Sequence, residues 1–152
     1  MQAQPRPTAD RASRVPRRWS ETLDGIAWLP RLIDKARMAN EGELGSYLFG
    51  HSPFDRALLV RLGTSTDDFA AIVAGCTSDA DVLATLRSRG FDEARVRRWS
   101  ARLPHTARLY THIWDVDDGY VKPGVVGRTL LSVWRGIERP VMGLLRVIFK
   151  AP

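Results

Sequence analysis

From residue 29 onward, apolar side chains return at helical spacing. Leu29, Leu32, Ile33, Ala36 and Ala39 fall on one face, while Arg31, Asp34, Lys35, Met38 and Glu41 project opposite. Pro30 suits a first helical turn, where its missing N–H costs nothing and its φ is already set. Gly42 or Gly45 then ends the helix through a left-handed residue. A second helix is signalled by Ser52 as cap, Pro53 at the first position and Asp55 in the first turn. Its residues Phe54, Ala57, Leu58, Leu59, Val60 and Leu62 are apolar around most of the circumference, which predicts a core helix stopped by Gly63.

The punctuation then repeats. Ser65 with Asp68 opens a helix carrying Phe69, Ile72 and Val73 and closed by Gly75. Ser78 with Asp81 opens the next, carrying Val82, Leu83 and Leu86 and closed by Gly90. Asp92 caps a fifth, whose inner stripe is Val96, Trp99 and Leu103 and whose end is set by Pro104. Residues 105–114 form one more short helix with Leu109, Ile113 and Trp114. No strand-like alternation of useful length occurs, and helices this short hold only by packing on each other.

Residues 127–150 predict a longer amphipathic helix, with Leu130, Leu131, Trp134, Ile137, Val141, Leu145 and Ile148 on one face and Pro140 as a kink or break. Arg128, Arg135, Arg139, Arg146 and Lys150 interrupt it too often for a membrane span. The expected fold is therefore all-α: a compact orthogonal bundle of short helices followed by that C-terminal helix. The expected organisation is a disordered basic tail over 1–18, a helical core over 19–114, a turn-rich connector over 115–127, and the basic amphipathic helix over 128–152.

Charge sharpens this division. The chain has 152 residues, enough for one domain with a real core, and a formal net charge of +6. Residues 1–18 hold five arginines against one aspartate, residues 19–104 hold 11 basic and 12 acidic side chains, and residues 105–152 hold seven against four. A near-neutral middle thus lies between two basic ends, and attraction to an anionic membrane surface or nucleic acid is expected from those ends. A single cysteine, Cys76, and no visible signal peptide imply a reducing, cytoplasmic setting.

The best candidate polar site is Arg31, Asp34, Lys35 and Arg37, with Tyr47 and Asp55 following in sequence. Arg31 and Arg37 each stand three residues from Asp34, so the carboxylate is flanked by guanidinium groups on neighbouring turns. Such a carboxylate stays ionised and can orient a ligand amine or hydroxyl. The competing reading is a solvated helix face, with pairs that contribute only about 0.2–0.5 kcal/mol each. Arg37 lies on the shoulder between faces; half buried, it needs a partner, for which Asp34, Tyr47 or Asp55 are available.

Residues 29–37 (LPRLIDKAR), the G-x-L-G-x-Y-x-x-G pattern over 42–50 and the Asp55-led leucine-rich segment resemble a family of bacterial domains of unknown function, family 5069. The resemblance runs more loosely through 79–83, 99–103 and the turn at 115–119. It implies a compact helical fold and no assigned reaction, so no catalytic residue carries over.

Other motifs add little. Asp115, Asp117, Asp118 and Gly119 lack the spacing and twelfth ligand of a calcium loop and predict a solvated acidic turn. His51, His105 and His112 have no close ligand pairing, so neither a metal nor another cofactor is expected. Asp79 and Asp81 at the start of the fourth helix would repel DNA, which excludes residues 69–89 as a reading element. Arg95, Arg98 and Arg102 line one helix face, with Arg87 and Arg89 near it. Such a row can neutralise phosphates, although a solvated face is the simpler reading and no aromatics interleave to stack bases.

The functional expectation is a non-catalytic interaction module centred on residues 28–55, binding a protein partner or self-associating through the C-terminal helix. The alternatives are peripheral attachment to anionic lipid or nucleic acid through the arginine-rich ends, or an enzyme using Asp34, Lys35, Arg37 and Tyr47 around a pocket.

Overall fold

In the computed structural model, which describes residues 14–121 together with 133, 136 and 137, the core is entered through a hairpin. Strands β1 (Thr22–Leu23) and β2 (Ile26–Ala27) pair antiparallel, Thr22 opposite Ala27 and Leu23 opposite Ile26. The turn is Asp24-Gly25, with φ of 49° and 75°. Asp-Gly is a favoured pair for a two-residue turn with positive φ at both positions, because its twist matches that of the flanking strands. With only two residues per strand no alternation can show, which is why the sequence pattern misses this sheet. Ile26 and Ala27 are buried, and the Ala27 N–H donates to Ser100 Oγ at 2.6 Å, tying the hairpin to a distant helix.

Six helices follow among the described residues: α1 (Leu29–Asn40), α2 (Pro53–Leu62), α3 (Thr66–Ala74), α4 (Asp79–Ser88), α5 (Glu93–Thr106) and α6 (Arg108–Asp117). The expected caps form. Ser52, Ser65, Ser78 and Asp92 each accept from the backbone N–H three residues on, and Ser78 with Asp81 completes a reciprocal box. α1 ends at Gly42 (φ 70°), with Glu43 N–H donating to Met38 O at 2.8 Å. This is the Schellman closure, which satisfies a carbonyl the helix leaves free.

The core is continuous. Leu29, Leu32, Ile33 and Ala36 of α1 join Leu58, Phe69, Val82, Leu86, Val96 and Leu103 from the next four helices. α1 packs on α3 and β1, α5 on β2, α2 and α6, and α3 on α4. The all-α expectation holds, with the small hairpin added. No helix among the described residues is long and apolar enough to cross a membrane.

Several local expectations are corrected. The outward face of α1 is not solvated: Arg31, Lys35 and Met38 are buried along with the apolar stripe. α2 is less enclosed than its composition suggests, since Val60 is 72% exposed. Pro104 does not end α5, which continues to Thr106. A proline in a final turn removes one hydrogen bond rather than many. α6 extends to Asp117, into the stretch expected as a connector, and Arg17 and Arg18, counted with the tail, are held by ion pairs. The C-terminal helix over 128–152, its kink at Pro140, and the tail over 1–13 lie outside the described residues apart from helical positions 133, 136 and 137.

Candidate functional site

The charged residues of α1 point to two sides of the helix, and each side builds its own network. On the inner side, Lys35 reaches Asp55 at the start of α2. Its Nζ lies 2.5 Å from Oδ1 and 2.6 Å from Oδ2. Asp55 is fully enclosed and Lys35 is 3% exposed. Bending of the chain through Gly50 makes this possible, because the Gly50 N–H turns inward and donates to Asp55 Oδ2 at 3.0 Å. The Trp28 indole N–H donates to Oδ1 at 2.8 Å, and Lys35 also donates to Leu48 O at 3.1 Å. The carboxylate therefore accepts from an ammonium, an indole and a backbone amide, the full pairing that a buried charge requires. Burial pulls the Lys35 amine below its ordinary value, and the attraction of Asp55 works against that fall.

One turn earlier, Arg31 lies between two rings. Its guanidinium carbon is 5.5 Å from the Trp28 ring centroid and 5.7 Å from that of Tyr47. Nη1 donates to Asp118 Oδ2 at 2.6 Å and to Arg17 O at 3.0 Å. Nη2 donates to Asp118 Oδ1 at 3.3 Å, and Tyr47 Oη donates to that same oxygen at 3.0 Å. Asp118 caps the end of α6, so this pair fastens α6 to α1. Beside it, Asp115 accepts from Arg18 and from the Trp19 indole, and Tyr120 donates to Pro16 O. In the stretch expected as a solvated acidic turn, Asp115 and Asp118 are thus buried anchors: partners 71 to 97 residues away took these two carboxylates out of water.

On the outer side, Asp34 receives the Arg17 side chain, at 2.8 Å from Nε and 2.9 Å from Nη2, and the Arg17 backbone N–H at 2.8 Å. Arg17 and Arg37 then share Asp79 at the start of α4, at 2.6 Å and 2.7 Å. Arg37 is half-buried, as its shoulder position predicts, but its partner is Asp79 rather than Asp34, Tyr47 or Asp55. Burial pushes the Asp79 carboxyl up, yet the hydrogen bonds from Arg17 and Arg37 prevail and hold it below the usual carboxylate range.

The six candidate residues are therefore divided. Lys35 and Asp55 pair directly, and Arg31 and Tyr47 meet on Asp118. Asp34 and Arg37 belong to the outer network with Arg17 and Asp79. Asp118, Asp115 and Asp79 carry no local mark as partners, because their meeting depends on how α4 and α6 pack. Trp28 was legible as part of the stretch but not as a donor. An aromatic group closes the inner side, with Trp28, Phe54 and Trp114 at ring-centroid distances of 4.6–5.2 Å.

Chemically, the arrangement neutralises charge by charge. Among the described residues no three histidine, cysteine, aspartate or glutamate side chains gather to hold a metal. What the fold and its clasps define is a small helical domain braced by internal ion pairs. The chain belongs to the family described as domain of unknown function (DUF5069), which it matches over residues 13–137. No curated protein and no solved structure matches it.

Proposed function

We propose that the chain is a non-catalytic binding module in which the polar cluster of residues 28–55 braces the fold and the outer surface makes the contacts. The observation that supports this is the closure of the inner cluster: Lys35, Asp55 and Arg31 spend their charges on one another, on Asp118 and on Trp28, behind 0–4% exposure. A general acid, base or nucleophile must reach its substrate within hydrogen-bond distance, and around Lys35 and Asp55 those positions are filled by the protein's own groups. Within residues 28–55, α1 is buried or half-buried up to Ala39, and the exposed positions from its end to α2 are Asn40, Glu41, Gly42, Glu43, Gly45, Ser46 and His51. Contact with a partner through this stretch therefore falls on the bend. The same reading keeps the cytoplasmic setting inferred from one free cysteine.

The test is the reactivity of Lys35. An amine-acylating reagent followed by peptide mass spectrometry should leave Lys35 unlabelled in the native chain and label it after denaturation. Ready labelling of Lys35 in the folded protein would show an accessible amine and overturn the reading.

A further inference from the structure

The cations of this domain are not evenly satisfied. Arg14, Arg17, Arg18, Arg31, Lys35, Arg37, Arg87 and Arg97 each hold a carboxylate. Arg61 lies over the Trp99 ring and donates to Ala57 O. By contrast, Arg89, Arg95, Arg98, Arg102 and Arg108 are all exposed, and none pairs with a carboxylate among the described residues. All five fall between residues 89 and 108, from the end of α4 through α5 to the start of α6. That stretch holds six arginines against Asp92 and Glu93. Glu93 is already taken by Arg87 and Arg97, and Asp92 caps α5. The neutral total of the middle of the chain thus conceals a basic stretch, within which Arg95, Arg98 and Arg102 share one face of α5.

We propose that this face, with Arg95, Arg98 and Arg102 of α5 at its centre, binds the phosphate backbone of duplex nucleic acid without reading sequence. The spacing suits it. Residues i, i+3 and i+7 share a helix face, and at 1.5 Å per residue the row is about 10 Å long. A duplex strand places a phosphate about every 3.4 Å along its axis, so the row faces about three phosphates. Guanidinium groups match phosphate oxygens as two-pronged donors. α5 is also rigid where this matters, since Val96, Ser100 and Leu103 anchor its opposite side in the core. The alternatives fit less well. An anionic bilayer is held by helices that also insert large apolar side chains, and the exposed neighbours in this row are Ala94, Ala101, Pro104, His105 and Thr106. Single strands need exposed rings for stacking, and on α5 Trp99 is half-buried beneath Arg61.

The inference rests on the chain being a binding module. Lys35 labelling tests that reading by itself, so a protected Lys35 with no duplex binding would sink this inference alone. The experiment is fluorescence anisotropy of a labelled mixed-sequence duplex of about 20 base pairs with the full chain, titrated between about 50 and 200 mM salt. The native chain should bind, with affinity falling steeply as salt rises. Arg95→Gln/Arg98→Gln/Arg102→Gln, checked for an unchanged melting temperature, should bind about tenfold or more weakly, with a log–log salt slope shallower by about 3. Arg6→Gln/Arg11→Gln, which removes charge from the amino-terminal end, should cost less. Three results would overturn the proposal: no duplex binding at the lowest salt, a triple variant that binds like the native chain, or a larger loss from the amino-terminal variant. Tighter capture by phosphatidylserine vesicles than by duplex, lost in the same triple variant, would assign the row to membrane and overturn it as well.

Discussion

Arg31 and Asp118 stand 87 residues apart in the chain and meet at 2.6 Å, with side chains 5% and 3% exposed. The pair joins the first turn of α1 to the end of α6, and Tyr47 donates to the same carboxylate. Truncating one partner of such a pair leaves the other charge buried without compensation, which costs about 3–5 kcal/mol. Asp118→Ala should therefore lower stability by about that amount in urea denaturation, because Arg31 stays enclosed by Trp28 and Tyr47. Asp118→Asn should cost less, since its amide oxygen still accepts from Arg31 and Tyr47. Equal losses for the two variants would mean that charge alone, and not the accepted hydrogen bonds, holds the clasp.

The Lys35–Asp55 pair makes a sharper prediction, because its parts are interdependent. Lys35→Met strands a carboxylate that is fully enclosed, and Asp55→Asn strands an ammonium that is nearly so. Each single change should cost about 3–5 kcal/mol. In Lys35→Met/Asp55→Asn neither charge remains, and the asparagine oxygen can still accept from the Trp28 indole or the Gly50 amide. The double variant should be more stable than the two single losses added together, with a coupling of about 2–3 kcal/mol in a double-mutant cycle. Additive losses would show that the two groups do not sense each other.

These two pairs also mark where sequence reasoning ends. The caps at Ser52, Ser65, Ser78 and Asp92 were legible because each bonds the backbone three residues away. The halt of α1 at Gly42 is equally local. The charged side of α1 was not legible: Arg31 and Lys35 look like a solvated face until Asp118 and Asp55 arrive from elsewhere. Arg37 shows both sides of this, since its half-burial follows from its place on the wheel while its partner, Asp79, follows only from the docking of α4. The hairpin is a different kind of miss. Asp24-Gly25 is a strong local signal, but its strands are too brief for the alternation that would have made it readable.

Asp79 should make part of the stability depend on pH. Its carboxyl lies below the ordinary value of 3.8 in the folded state, where Arg17 and Arg37 favour the ionised form against the cost of burial. A depressed carboxyl contributes stability that is fully present above the unfolded value and lost as pH falls through the folded one. Asp79→Asn should thus be less stable than the native chain by about 1 kcal/mol at neutral pH, a modest figure because the network is partly exposed. The gap should close as the native chain is acidified below about pH 4, as thermal melts across that range would show. A gap that stayed constant down to pH 2 would remove the charge from the explanation.

Gly50 carries the bend that lets Asp55 reach Lys35, and two separate constraints hold it. Its φ is +74°, and a Cβ built there would lie 2.2 Å from Thr66 Cγ2 and 2.4 Å from Thr66 Oγ1. At Gly63, with φ of +67°, an added Cβ meets nothing within 4 Å. Gly63→Ala should therefore cost only the backbone strain of a left-handed residue, about 1–2 kcal/mol. Gly50→Ala should cost clearly more, because relieving the clash moves the loop and draws its N–H away from Asp55. Adding Thr66→Ala removes the two nearest atoms and leaves Cβ at 2.9 Å, so it should restore part of the loss but not the strain. Paired denaturation curves for the three variants separate the terms. If Gly50→Ala costs no more than Gly63→Ala, the approach of α3 to the bend is not what fixes glycine there.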